Sequence, residues 1–124
     1  MDSQRFEELV GEAIERLPEA FRERLENIDI VVADDPTRGQ LKTLKERRGH
    51  NLLGLYEGVP LTERTHNYGF VIPDKITIFQ KSIEAMCRNE SQIIEEIQHV
   101  VRHEIAHHFG IGDDRLKEIE NGRA

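Results

Sequence analysis

The residues that could do chemistry gather in one stretch, Glu95 to Asp114, reading EEIQHVVRHEIAHHFGIGDD. Inside it His103-Glu104-Ile105-Ala106-His107 forms the H-E-x-x-H pattern. Two neutral imidazoles suit Zn²⁺, and a catalytic site adds a third protein ligand while leaving one position to water. On a helix the two histidines stand one turn apart, about 40° around the axis, so both can reach one cation. Glu104 lies about 100° from His103 and about 60° from His107, near enough to touch a metal-bound water without competing as a ligand. The predicted chemistry is metal-assisted hydrolysis of an amide, with Glu104 taking the proton of the water and passing it to the leaving nitrogen.

The element that must position these groups is a helix. Ile94, Ile97, Val101 and Ile105 recur at three- and four-residue steps and describe one apolar stripe. A helix continuing past His107 would carry any later ligand away, so the chain has to turn back. Gly110 can take the left-handed conformation that ends a helix, and Gly112 loosens the return. Asp113 could then present a carboxylate to the metal. The competing role for Asp113 or Asp114 is the N-cap of a last helix, Arg115 to Glu120, with Asp114 the better cap. Two histidines at this spacing can also be a solvated helix face, but the apolar stripe, the glycine turn and the acid favour a site. His108 points about 140° from His103 and is expected to be packed or supporting, not a ligand. His99 and Glu96 lie on nearly the ligand face and either support the site or are solvated.

Read through to Asp113 the motif is H-E-x-x-H-x-x-G-x-x-D, and with it the sequence resembles the minimal zincin-like metallopeptidases, a bacterial family of small single-domain proteins. The resemblance also rests on Leu53 to Arg64 (LGLYEGVPLTER), Pro73 to Phe79 (PDKITIF) and His103 to Ile111 (HEIAHHFGI). It is close over residues 52–116 and looser elsewhere. It implies a zincin-like fold, a metal held by His103, His107 and Asp113, and a peptidase-type Glu104. It implies no particular substrate. The methionine turn of the larger metzincins is missing, since Met1 and Met86 both precede the motif.

A chain of 124 residues makes one domain, residues 1–124, with a single core. A net charge of −7 argues against nucleic-acid or membrane binding, because either needs a cationic face. The expected partner is a peptide or protein substrate. The single cysteine, Cys87, permits no internal disulfide and reads as a small packing residue. The segment MDSQRFEELV has neither a basic n-region nor a long apolar core, so a cytoplasmic protein is expected.

Phe6, Leu9, Val10, Ala13, Ile14 and Leu17 trace a core helix after Asp2 or Ser3 as N-cap. Pro18 breaks it or starts a further turn holding Phe21 and Leu25. Ile28 to Ala33 is β-branched and reads as a strand. Thr37 to Asn51 sets Arg38, Lys42, Lys45, Arg47 and Arg48 against Glu46, and is expected to be a solvated loop or short mobile helix. Leu52 to Tyr56 reads as a second strand. Leu61 to Gly69 is a polar loop in which Arg64, His66 and Tyr68 are candidates to steady an oxyanion. Phe70 to Ile72 and Lys75 to Phe79 are extended, and the resemblance makes Ile76 to Phe79 the edge strand that would pair with a substrate. Lys81 to Arg88 is a helical connection, and Asn89 to Ser91 starts the long helix.

The expected architecture is α+β: an N-terminal helix and a long metal-bearing helix packed on a small mixed sheet of three to four strands. The expected function is a zinc-dependent peptidase. The alternatives are a zincin-like module that keeps metal and cleaves nothing, and a metal-dependent nuclease, against which the acidic balance counts.

Overall fold

The computed structural model describes residues 1–46, 52–58 and 74–110. Asp113, Asp114, Gly112, the last helix, Phe70 to Ile72 and the candidates Arg64, His66 and Tyr68 lie outside the described residues. Helix α1 spans Ser3–Glu15 and starts where Asp2 accepts a hydrogen bond from the Arg5 amide at 2.8 Å. Its stripe is buried as expected, with Phe6, Leu9 and Ala13 fully enclosed. Pro18, which fits the entry to a helix but not its interior, separates α1 from the short α2, Glu19–Arg24, and Phe21 of α2 is fully buried.

Strand β1 runs Ile28–Ala33, β2 Gly54–Glu57 and β3 Asp74–Phe79. The sheet order is β1-β3-β2, with β3 parallel to β1 and antiparallel to β2. Ile76 stands opposite Ile30 on one side and Tyr56 on the other. This corrects the expectation that Ile76 to Phe79 forms an edge. β3 is the interior strand, and its apolar run suits burial on both faces; among the described residues β2 lies at one edge. Alternation then sorts β3 by face. Ile76 and Ile78 join the main core with α1, α2 and the long helix, while Phe79 joins Leu55 and Leu44 on the opposite face.

Leu44 belongs to helix α3, Arg38–Glu46, so of the loop and the short helix expected within Thr37 to Asn51 the helix is what forms. The cause is local. Thr37 Oγ1 accepts from the Gln40 amide at 3.1 Å while Gln40 Oε1 accepts from the Thr37 amide at 3.0 Å. This reciprocal capping box fixes a helix start, and burial of Leu44 against the sheet offsets the cost of ordering the turns that follow. Residues 47–51 lie outside the described residues.

After β3 the chain enters α4, Gln80–Met86, and then α5, Glu90–His108, whose N-cap Asn89 accepts from the Gln92 amide at 2.9 Å. Ile97, Val101 and Ile105 are fully buried, so the stripe read from the sequence faces the core. Gln98 Nε2 donates to the Ala13 carbonyl at 3.1 Å, and Arg5 binds Glu90 through two hydrogen bonds of 2.9 and 2.6 Å, so α1 and α5 are tied at two levels. The Arg5 hydrogen bond holds the Glu90 carboxyl below the usual carboxylate range.

Gly54 sets how closely β2 lies against α5. A Cβ there would stand 2.4 Å from Val100 Cγ1 and 3.1 Å from the Thr77 carbonyl oxygen. Gly54→Ala is therefore expected to destabilise the fold by about 1–3 kcal/mol, the usual cost of overpacking. In urea unfolding this appears as a lower midpoint with an unchanged slope.

Candidate metal centre

Helix α5 brings His103 and His107 together, as the spacing predicts. The His103 and His107 ring centroids are 4.3 Å apart with planes tilted by 46°, His103 half-buried and His107 exposed. His99 extends the row toward the helix start, its ring 5.7 Å from that of His103, and is solvated. Among the described residues no group of three His, Cys, Asp or Glu side chains is placed to hold a metal ion. Asp113, the third ligand that the resemblance implies, lies outside the described residues. Adjacent, accessible nitrogen donors one turn apart fit Zn²⁺ in chemistry and in spacing.

The helix ends as the glycine suggests. Phe109 donates to the Ile105 carbonyl at 2.9 Å, and Gly110 takes φ +66°, the left-handed conformation that turns the chain off the helix axis. Among the described residues a Cβ on Gly110 would meet nothing within 4 Å, and the positive φ strains any side chain placed there. Gly110→Ala is expected to lose about 1–2 kcal/mol in equilibrium unfolding, and Gly110→Asn less, because asparagine tolerates this region.

Glu104 is buried, with 3% of its surface exposed. Its Oε1 accepts a hydrogen bond from the Tyr56 backbone N–H at 2.8 Å. The origin of this contact lies in the sheet. Phe79 donates to the Leu53 carbonyl at 3.0 Å, so alternate β2 residues turn their backbone groups toward β3 and those between turn them outward. Tyr56 is one of the latter, and α5 passes close enough to β2 for Glu104 to take its outward N–H.

The Tyr56 side chain is held in the same region. Its hydroxyl donates to Asp74 Oδ2 at 2.7 Å, and its ring stacks on His108 with centroids 3.9 Å apart and planes at 14°. His108 Nε2 is 3.9 Å from the same Asp74 oxygen. His108 therefore lies against Tyr56 while remaining exposed. Tyr56 and Asp74 are the site residues that residue-by-residue reasoning misses. Their signal is the pair of blocks LGLYEGVPLTER and PDKITIF, which carry both.

Cys87 ends α4, partly buried against the main core. Burial pushes its thiol pKa up and the Glu96 charge adds to this, as befits a packing residue and not a nucleophile. Among the described residues no helix is long and apolar enough to cross a membrane.

Comparison with known proteins bears on the family and the fold. The zincin-like metallopeptidase family matches over residues 25–123. Among solved structures, a conserved hypothetical protein from Thermo thermophilus is similar with a TM-score of 0.52 and 21% sequence identity, covering 88% of this chain and 94% of that one. At that identity the likeness concerns the fold alone. No curated protein matches. Since the family match spans most of the chain and includes both strands of the candidate site and all of α5, the chain belongs to the zincin-like metallopeptidase family.

Proposed function

We propose that the protein is a zinc-dependent metallopeptidase, with His103, His107 and Asp113 holding the metal and Glu104 acting as general base. The observation that carries this is the division of labour on α5. Two imidazoles lie side by side on the accessible face, and the carboxylate between them in sequence is buried with one oxygen fixed by a backbone amide. Zinc bound there would lower the pKa of its water toward neutrality and polarise a substrate carbonyl. Glu104 accepts the proton and returns it to the leaving nitrogen. A carboxylate held at one oxygen keeps its orientation through both transfers.

One observation favours a second reading, a module that binds metal and cleaves nothing. Capping the Tyr56 amide is a purely structural task, and it would occupy Glu104 whether or not any bond is cleaved. Digestion of a peptide library by the zinc-loaded protein, with new termini read by mass spectrometry, separates the two. Cleavage by the wild type that disappears with Glu104→Gln supports the peptidase, and no cleavage by a fully metallated wild type overturns it.

A further inference from the structure

We infer that Tyr56, Asp74 and His108 form one positioning unit for Glu104, holding the β2 edge so that the Tyr56 amide stays on the carboxylate. Tyr56 is gripped at three points, and two of them come from α5. Glu104 and His108 are four residues apart on that helix, hence one turn apart on one face, and both meet the same strand residue. Glu104 takes the backbone N–H at 2.8 Å and His108 lies flat on the ring at 3.9 Å. Asp74, the first residue of β3, takes the phenol hydroxyl at 2.7 Å and so links the ring to the interior strand.

The geometry makes these contacts interdependent. Tyr56 is 4% exposed, so its ring is enclosed where it stands. The strand is short, four residues, and the outward amide of Tyr56 meets α5. Gly58 closes the arrangement, since a Cβ there would stand 3.5 Å from Asp74 Oδ1, His108 Cε1 and Tyr56 Cε1 alike. The strand therefore leaves the unit beside all three members, at ordinary contact distance. None of the three needs to touch substrate. They act through the amide, and the amide acts on Glu104.

The inference rests on Glu104 being the base, but its test has a signal independent of turnover. The full-length zinc-loaded protein is compared with His108→Ala, His108→Phe and Tyr56→Phe. The first readout is the Tyr56 amide by proton–nitrogen NMR, as its chemical shift and its hydrogen-exchange rate. The second is kcat and KM on a peptide taken from the library digest. His108→Ala is expected to move the Tyr56 amide resonance upfield and speed its exchange. Because a misplacement near 1 Å can cost about 100-fold, kcat should fall by up to about that factor with KM little changed.

His108→Phe, which keeps a flat ring over Tyr56, is expected to restore both signals. Tyr56→Phe removes a single oxygen and shows a smaller change of the same sign, and it carries the test should His108→Ala fail to fold. Folded His108→Ala and Tyr56→Phe proteins with a wild-type Tyr56 amide signal would overturn the inference. So would a rate loss that only tracks the unfolded fraction. Should the wild type cleave nothing, the peptidase reading fails, and the amide signal alone still decides whether these residues position Glu104.

Discussion

Glu104→Gln is expected to lower kcat/KM for peptide cleavage by about 10²–10⁴-fold, the range assigned to a general base, while zinc content and fold persist. The substitution is chosen for what it preserves. Glutamine has nearly the same shape, and its amide oxygen can still accept the Tyr56 N–H that Glu104 Oε1 now accepts at 2.8 Å. It cannot take a proton from water. Glu104→Ala is a different experiment, because it also removes an acceptor from a buried amide at a residue 3% exposed. That variant should lose activity and about 1–3 kcal/mol of stability together. Steady-state kinetics, metal analysis by inductively coupled plasma spectrometry and equilibrium unfolding on the same samples distinguish the two substitutions. Equal stability losses in Gln and Ala would mean that the hydrogen bond to β2 is not what Glu104 contributes to the fold.

His103→Ala and His107→Ala are each expected to abolish zinc retention. Loss of an outer partner of a metal ligand typically costs 10–100-fold in affinity, so loss of a ligand itself should exceed about 100-fold. Competition against a chromophoric chelator measures this. The rings stand 4.3 Å apart on neighbouring turns, so either substitution removes half of the imidazole donors at once. His99→Ala is the matched control, since His99 lies a further turn away with its ring 5.7 Å from His103. Zinc should also raise the unfolding midpoint of the wild type in a concentration-dependent way, and that increment should vanish in both ligand variants.

Local patterns in the sequence read through to the fold where burial follows helical or strand periodicity. The stripes of α1 and α5, the strand from Ile28, and the left-handed Gly110 are all set by a few neighbouring residues. The Thr37–Gln40 capping box is equally local, but the charged run that follows it masks the signal by suggesting a solvated loop. What periodicity does not carry is pairing between distant segments. Whether β3 is edge or interior depends on where β1 and β2 settle, and both partners lie far along the chain. The same holds for Glu104. A helical wheel places it near the two histidines, but its burial and its bond to Tyr56, 48 residues away, arise only once β2 packs against α5.

Zinc X-ray absorption on the metal-loaded protein, combined with stoichiometry, asks whether the imidazoles of α5 hold the ion. The expected result is one zinc per chain with two imidazole nitrogens at about 2.0–2.1 Å and oxygen ligands completing the shell. The imidazole scattering should be reduced in His103→Ala and in His107→Ala. A zinc shell without imidazole, or one that is unchanged in both variants, would contradict the assignment of this helix as a metal centre.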